Sequence, residues 1–339
     1  RLMTFFIALF GAALSAACAP YAPGDVSLSL DDGQAGRVWF VSSDVYDFPQ
    51  MTAGGAPTRI IHGDLSLPRK GEPLKGAVIL SHGSGGPGSR QERYVEPLTK
   101  RGYAVFLLDH FAPRDVTSTV RDQIRITEQG MLADVAAAQR LLATHPRLEA
   151  NRIGHIGWSK GAVVSVLGAV DRLAGYAEGP APLAFAVAFY PFCGFDLSKE
   201  RLSAPLLVQI GAEDDWTPAE PCVTLVTALD GRGKRAAIDV YPGARHGFDS
   251  SAPDDDSAAM RSVRSTLSDD GWCRLTGGTA GLEDAEFDTF DWRAVDIARF
   301  INDGAPPLAL DLRIGNIAST AQMAPRTDLA LTLRQVPGT

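Results

Sequence analysis

Six short apolar runs do most to limit what this chain can fold into: AVILS at 77–81, AVFLL at 104–108, IGHI at 153–156, FAVAF at 185–189, LLVQI at 206–210 and IDVY at 238–241. They are too short for buried helices and too continuous for strands with one wet face, so each reads as a strand covered on both sides. Helical stretches separate most of them, at 91–100, 123–143 and 218–229. Strands alternating with helices predict an α/β fold, a mostly parallel central sheet with helices on both faces. Ahead of these, Arg37–Ser43 and Thr58–Leu67 are alternating or β-branched runs between Pro- and Gly-containing loops, which predicts an antiparallel entry to the same sheet. In such sheets ligands gather at the carboxyl ends of the strands, so the residues that follow each run are where chemistry is to be sought.

After the run at 153–156 comes Gly157-Trp158-Ser159-Lys160-Gly161, and an apolar helix begins at once. This G-x-S-x-G on a sharp strand-to-helix turn makes Ser159 the candidate nucleophile, since small residues on either side let the backbone pass close to its neighbours. Such a serine needs a base, and of the six histidines (His62, His82, His110, His145, His155 and His246) only His246 follows it, as a sheet of this type requires. His246 stands in a loop directly after the last strand, whereas His155, inside a strand, reads as a packed core residue. The acid that orients the base is expected after the run at 206–210, where Glu213, Asp214 and Asp215 emerge together; Asp196, after the preceding strand, is the reserve. Asp215 or Thr217 is expected to cap the helix that starts near Pro218. Charge on a carbonyl oxygen in the transition state needs fixed donors, and the amides of Lys160 and of Ser84, in the glycine-rich loop His82-Gly83-Ser84-Gly85-Gly86, are placed to supply them.

Together these residues resemble the α/β-hydrolase superfamily and, within it, the dienelactone hydrolase-like family. The matching stretches are HGSGG (82–86), D-x-F-x-P-R (109–114), GWSKG (157–161), G-x-x-D-x-x-x-P (211–218) and YPGARHGF (241–248), in the family's order over about half the chain. The resemblance implies the α/β-hydrolase fold, with Ser159 as nucleophile, Asp214 as acid and His246 as base. The enzymes that give the family its name use cysteine where Ser159 stands, so their own substrate does not carry over. The expected reaction is cleavage of a small-molecule carboxylic ester through an acyl-enzyme, with lactone or peptide cleavage as alternatives on the same machinery. His82, Gly83, Phe111, Trp158, Trp216 and Phe248 adjoin the motifs and are read as lining the substrate pocket, with Arg114 or Arg245 contacting any substrate carboxylate.

Two readings of another class stand beside this one. Gly83 to Gly88 satisfies G-x-G-x-x-G after a strand, with Asp109 ending the next, which would suit a dinucleotide-dependent oxidoreductase; Pro87 removes a donor from that loop. The other is a non-catalytic envelope protein using the same scaffold to bind. There is no H-E-x-x-H or Cys-x-x-Cys, so no metal and no cofactor is expected. A formal charge of −8 without a Lys/Arg cluster argues against nucleic acid as a partner.

Residues 1–22 read as a secretory leader, apolar from Phe5 to Leu14, with Ser15-Ala16-Ala17-Cys18 resembling a lipobox that would place a lipid anchor on Cys18; cleavage after Ala17 fits as well. The catalytic domain is expected over 23–303, with a last helix at 292–301 and a tail, hairpin or disordered, over 304–339. Export would let Cys193 and Cys222 pair, with Cys273 left over; three free buried cysteines are the alternative. The expected location is the periplasm, the envelope or the medium, and the oligomeric state is not legible.

Overall fold

A computed structural model describes residues 24–171, 179–195, 197, 199–230 and 236–249. The leader with Cys18, the reserve acid Asp196, Cys273, the helix expected at 292–301 and the tail 304–339 lie outside the described residues. The two entry runs and the six apolar runs after them each become a strand: β1 Gly36–Ser43, β2 Thr58–Ser66, β3 Gly76–Ser81, β4 Tyr103–Asp109, β5 Ile153–Trp158, β6 Ala186–Phe189, β7 Leu206–Gly211 and β8 Ala236–Tyr241. They form one sheet in the order β1-β2-β4-β3-β5-β6-β7-β8. β1 pairs with β2, and β2 with β4, antiparallel, and every other pairing is parallel. Residues of β3, β5, β6 and β7 are buried throughout, as strands covered on both faces must be.

The helices are α1 Phe48–Ala53, α2 Ser89–Lys100, α3 Glu128–Leu142, α4 Lys160–Ala169 and α5 Ala219–Asp230. His155 and Trp158 stand three positions apart on β5, so their side chains leave opposite faces of the sheet. His155 bonds Ser165 of α4, while the Trp158 ring packs on Tyr94 of α2 at 4.8 Å, which places α4 and α2 on opposite faces. α3 begins five residues later than the sequence predicts. Thr127 stops it: its hydroxyl accepts from the Gly130 amide at 3.2 Å, satisfying a donor of the first turn and leaving 123–126 as a loop. That loop carries Gln123 to the site described below.

From β3 the chain runs by way of α2 to β4 on one side, and from β5 by way of α4 to β6 on the other. The loops leaving these adjacent strands therefore diverge at the carboxyl edge and open a crevice between them. Cys193, just past β6, is disulfide-bonded to Cys222 in α5, as one of the two sequence readings has it.

Candidate active site

Ser159 sits between β5 and α4 with φ +51° and ψ −112°, a conformation that non-glycine residues rarely adopt. The neighbours hold it there. The Ser159 amide donates to the Phe189 carbonyl at 2.9 Å, and the Ser159 carbonyl already accepts from Ala162 and Val163 in the first turn of α4. Close approach explains the two glycines: a Cβ on Gly157 would lie 1.9 Å from the Gly161 carbonyl oxygen, and one on Gly161 would lie 2.3 Å from that of Ser81.

Opposite the serine, the loop after β8 brings in His246, whose Nε2 is 3.0 Å from Ser159 Oγ. The other ring nitrogen, Nδ1, lies 2.9 Å from Asp214 Oδ2, so the imidazole stands between a hydroxyl and a carboxylate 87 and 32 residues away in the chain. Asp214 is itself fixed: its Oδ1 accepts from the amides of Trp216 at 3.0 Å and Thr217 at 2.7 Å. These bonds make the turn before α5, which the sequence reading left to Asp215 or Thr217. Asp215 instead lies 3.8 Å from Arg245, and burial together with the neighbouring Asp214 pushes its carboxyl up from the ordinary range. Thr217 Oγ1 donates to Asp214 Oδ2 at 2.9 Å and lies 3.0 Å from His246 Nδ1 and 3.2 Å from the Tyr190 carbonyl oxygen. The imidazole is held between Tyr190 and Trp216, with ring centroids at 4.6 and 4.8 Å.

On the far side of Ser159 the β3 loop passes so close that a Cβ on Gly83 would lie 3.1 Å from the Trp158 carbonyl oxygen and from Ser159 Cβ. The glycine there answers to the serine. Gly83 O accepts from His82 Nδ1 at 2.8 Å and from the Gly86 amide at 3.1 Å. In a trans peptide the next N–H points the opposite way, so these two bonds also fix the direction of the Ser84 amide. Lys160, first residue of α4, has an amide with no acceptor inside its helix.

A small pocket of about 80 Å³ opens beside Ser159. Its lining is part apolar, from Val163, Phe192 and Trp216, and part polar, from Ser84, Gln123, Glu128, Lys160 and Thr217. Of the six pocket residues expected from the sequence, Trp216 is in this wall, and Gly83 backs the nucleophile without lining the pocket. His82, Phe111 and Trp158 are fully buried, and Phe248 is nearly so. They pack on one another and on their neighbours under the loops: His82 on Phe111 at 4.4 Å, Trp158 stacked on Phe189 at 5.5 Å and Phe248 against Tyr241 at 5.2 Å. Apolar residues beside a motif serve core and pocket alike, and here the core took them. Arg114 does not reach substrate either: Asp44 and Asp134 hold its guanidinium at 2.8 Å each.

Beneath the site runs a sealed chain of polar groups. Asp134, clamped by Arg114, accepts from His110 Nδ1 at 2.9 Å, and His110 Nε2 lies 2.9 Å from Ser81 Oγ. Ser81 Oγ also lies 2.8 Å from His155 Nε2, and His155 Nδ1 lies 2.8 Å from Ser165 Oγ. Ser81 stands between two imidazoles and has one proton to give, so the protonation of His110 and that of His155 are linked through it. Ser81, His110 and Asp134 repeat the distances of the Ser159 relay, yet all three are fully buried and closed to any substrate. The backbone amide of His110 donates to His82 Nε2, which ties this chain to the β3 loop.

The buried histidines make stability depend on pH. Burial, with the neighbouring His110, holds both His82 and His155 down to about 3, against an ordinary value of 6.5. Their neutral forms are therefore compatible with the fold above 6.5, and as pH falls toward 3 the unfolded chain takes up protons that the folded one refuses. Stability is expected to drop through this window by up to about 1.4 kcal/mol per pH unit for each histidine. Urea unfolding at pH 7 and pH 5 measures it; equal midpoints at both would contradict neutral burial.

Comparison with known proteins places this chain in a family. Residues 61–269 match the model of the dienelactone hydrolase family. A Bradyrhizobium protein named "Probable 2-oxo-3-(5-oxofuran-2-ylidene)propanoate lactonase" is 26% identical over 169 residues, 44% of this chain and 64% of the lactonase, so the match spans less than two thirds of that relative. An uncharacterised protein of Mycobacterium tuberculosis is 28% identical over 242 residues, 66% of this chain and 72% of that protein. Among solved structures, the apo form of Thermogutta terrifontis esterase 2 superposes with a TM-score of 0.46 at 16% identity, covering 65% of this chain and 92% of that one.

Proposed function

The chain belongs to the dienelactone hydrolase family, and from that premise we propose that it is an exported serine hydrolase of small carboxylic esters or lactones, working through Ser159, His246 and Asp214. The observation that carries the reading is the continuous relay from Asp214 through His246 to Ser159 at 2.9 and 3.0 Å, ending on a serine in a strained turn that opens on a pocket.

In this mechanism Ser159 Oγ attacks the ester carbonyl carbon while His246 Nε2 takes the hydroxyl proton, and Asp214 steadies the imidazolium that forms. The carbonyl electrons move onto oxygen, and the resulting oxyanion takes hydrogen bonds from the Ser84 and Lys160 amides. Collapse breaks the carbon–oxygen bond to the alcohol, which leaves with the proton from His246. Water, deprotonated by the same imidazole, then attacks the acyl-enzyme and releases the acid. In a lactone the leaving alcohol stays tethered to the acyl group, and the steps are otherwise identical.

A pocket of about 80 Å³ lies well under the 300–1,000 Å³ of sites for drug-sized ligands, which favours a short acyl group. Export is supported by the apolar run at 5–14 and by the Cys193–Cys222 disulfide, a bond that persists in oxidising compartments.

The test is intact-mass spectrometry after treatment with a fluorophosphonate, alongside turnover of p-nitrophenyl acetate, butyrate and octanoate. A single adduct on Ser159, loss of turnover in step with labelling, and faster cleavage of butyrate than of octanoate are the expected results. An unlabelled Ser159 in a protein that cleaves none of these esters would remove the proposal.

A further inference from the structure

The polar side of the pocket carries a carboxylate that the ester mechanism does not use. Lys160 follows the nucleophile, and its side chain turns inward to 1% exposure, where Nζ donates to the Gln123 carbonyl and to Glu128 Oε1, each at 2.7 Å. A buried ammonium needs such a counter-charge, and Glu128 supplies it. Glu128 is more open, at 30%, and lines the pocket within reach of a bound acyl group. Its Oε2 has no hydrogen-bond partner among the described residues.

A group bound beside Ser159 therefore shares the pocket with a carboxylate that is more open than the ammonium paired with it. A hydroxyl or other neutral donor gains a charge-assisted hydrogen bond there, while a second carboxylate is repelled. The cations that could have offset this are committed elsewhere: Arg114 to Asp44 and Asp134, and Arg245 to Glu213 and Asp215 at 3.7 and 3.8 Å, and neither lines the pocket. A cationic acyl group fares no better than an anionic one, because the ammonium of Lys160 stands directly behind Glu128. The Lys160–Glu128 pair sums to zero charge, but its carboxylate is the open end and its ammonium the buried one.

Resting on the ester-hydrolase reading, we propose that Glu128 is a specificity-determining residue and that the substrate's acyl part is short, uncharged and bears a hydrogen-bond donor such as a hydroxyl. This runs against the sequence expectation of an arginine contacting a substrate carboxylate.

The experiment compares kcat/KM for the phenyl esters of butyrate, 3-hydroxybutyrate and hemisuccinate in the wild type and in Glu128→Gln. In the wild type the hydroxylated ester is expected to lead, with the hemisuccinate roughly tenfold or more below butyrate. In Glu128→Gln the hydroxyl preference should shrink, and the hemisuccinate-to-butyrate ratio should rise roughly tenfold, since the Lys160 charge is then no longer balanced. Ratios within one preparation cancel any loss of folded enzyme, and if the variant fails to fold the wild-type ranking still decides. Hemisuccinate cleaved as well as butyrate by the wild type, or an unchanged ratio in the variant, would overturn the proposal while leaving the hydrolase reading in place. No turnover of any of the three esters, with Ser159 unlabelled by a fluorophosphonate, would strike the hydrolase reading itself.

Discussion

Ser159→Ala is expected to lower kcat on any ester the protein cleaves by roughly 10⁴- to 10⁶-fold, with little change in melting temperature. The size follows from the relay. Without Oγ there is no acyl-enzyme, and what remains is water attack assisted by the Ser84 and Lys160 amides. Folding survives because Ser159 holds its position through backbone bonds, to the Phe189 carbonyl and into the first turn of α4, and alanine keeps both. A second substitution separates activity from strain. At φ +51° and ψ −112° the backbone of Ser159 is one that glycine adopts freely and residues with a Cβ adopt only under strain. Ser159→Gly is therefore expected to be as inactive as the alanine variant yet to melt higher, by an amount corresponding to about 1 kcal/mol. The comparison needs only steady-state rates and thermal unfolding of three proteins. Near-wild-type turnover in the alanine variant would end the assignment of the nucleophile, and a glycine variant no more stable than alanine would mean the turn stores no strain.

Much of this site is legible because its parts are local. The strand before Ser159, the glycines on either side and the helix after it all lie within a few residues, and the geometry that demands them is a property of that turn alone. His246 is legible by elimination, since no other histidine follows the serine. Asp214 needs the fold as well: three consecutive carboxylates leave β7, and the direction of the turn, set by the Trp216 and Thr217 amides, decides that the middle one meets the imidazole. Thr217 escapes sequence reading for a different reason. A threonine two residues before a helix reads as a cap, and nothing local reveals that its hydroxyl reaches Asp214 and the imidazole of a residue 29 positions on.

The pocket was least legible, and the cause is physical. Phe111, Trp158 and Phe248 are as apolar as any pocket residue, and apolar surface carries no mark of which cavity it will fill. The wall that does face the substrate includes Gln123 and Glu128, which reach it because Thr127 starts α3 late and leaves a loop before it. The Thr127 cap, followed by Glu128 at the first helical position, is the signal that would have found this boundary.

Asp249→Ala is expected to destabilise the protein by about 3–5 kcal/mol, because a buried charge would vanish from among donors that depend on it. Asp249 lies three residues after His246 and is fully buried. Its Oδ2 accepts from the Trp158 indole at 2.6 Å and from the Tyr94 hydroxyl at 3.1 Å, its Oδ1 from the Tyr190 hydroxyl at 2.6 Å, and Arg90 stands 3.7 Å away. One carboxylate thus gathers the residue before the nucleophile, a ring that flanks His246, and helix α2. Alanine would leave three buried donors without this acceptor, each costing about 1–3 kcal/mol unless it finds another. Activity should fall along with stability, since Tyr190 packs on His246 and its carbonyl oxygen lies 3.2 Å from Thr217 Oγ1. Asp249→Asn keeps the shape and one acceptor oxygen, so it should cost less than alanine in both respects. The decisive comparison adds Tyr94→Phe and Tyr190→Phe to Asp249→Leu. If the cost is that of stranded donors, removing two of them should restore part of the lost stability, because deleting both partners of a buried hydrogen bond costs less than deleting one. Urea unfolding of the single and triple variants reads this directly. A triple variant less stable than Asp249→Leu alone would mean that the two hydroxyls have other buried acceptors, and that Asp249 does not organise the ground beneath the relay.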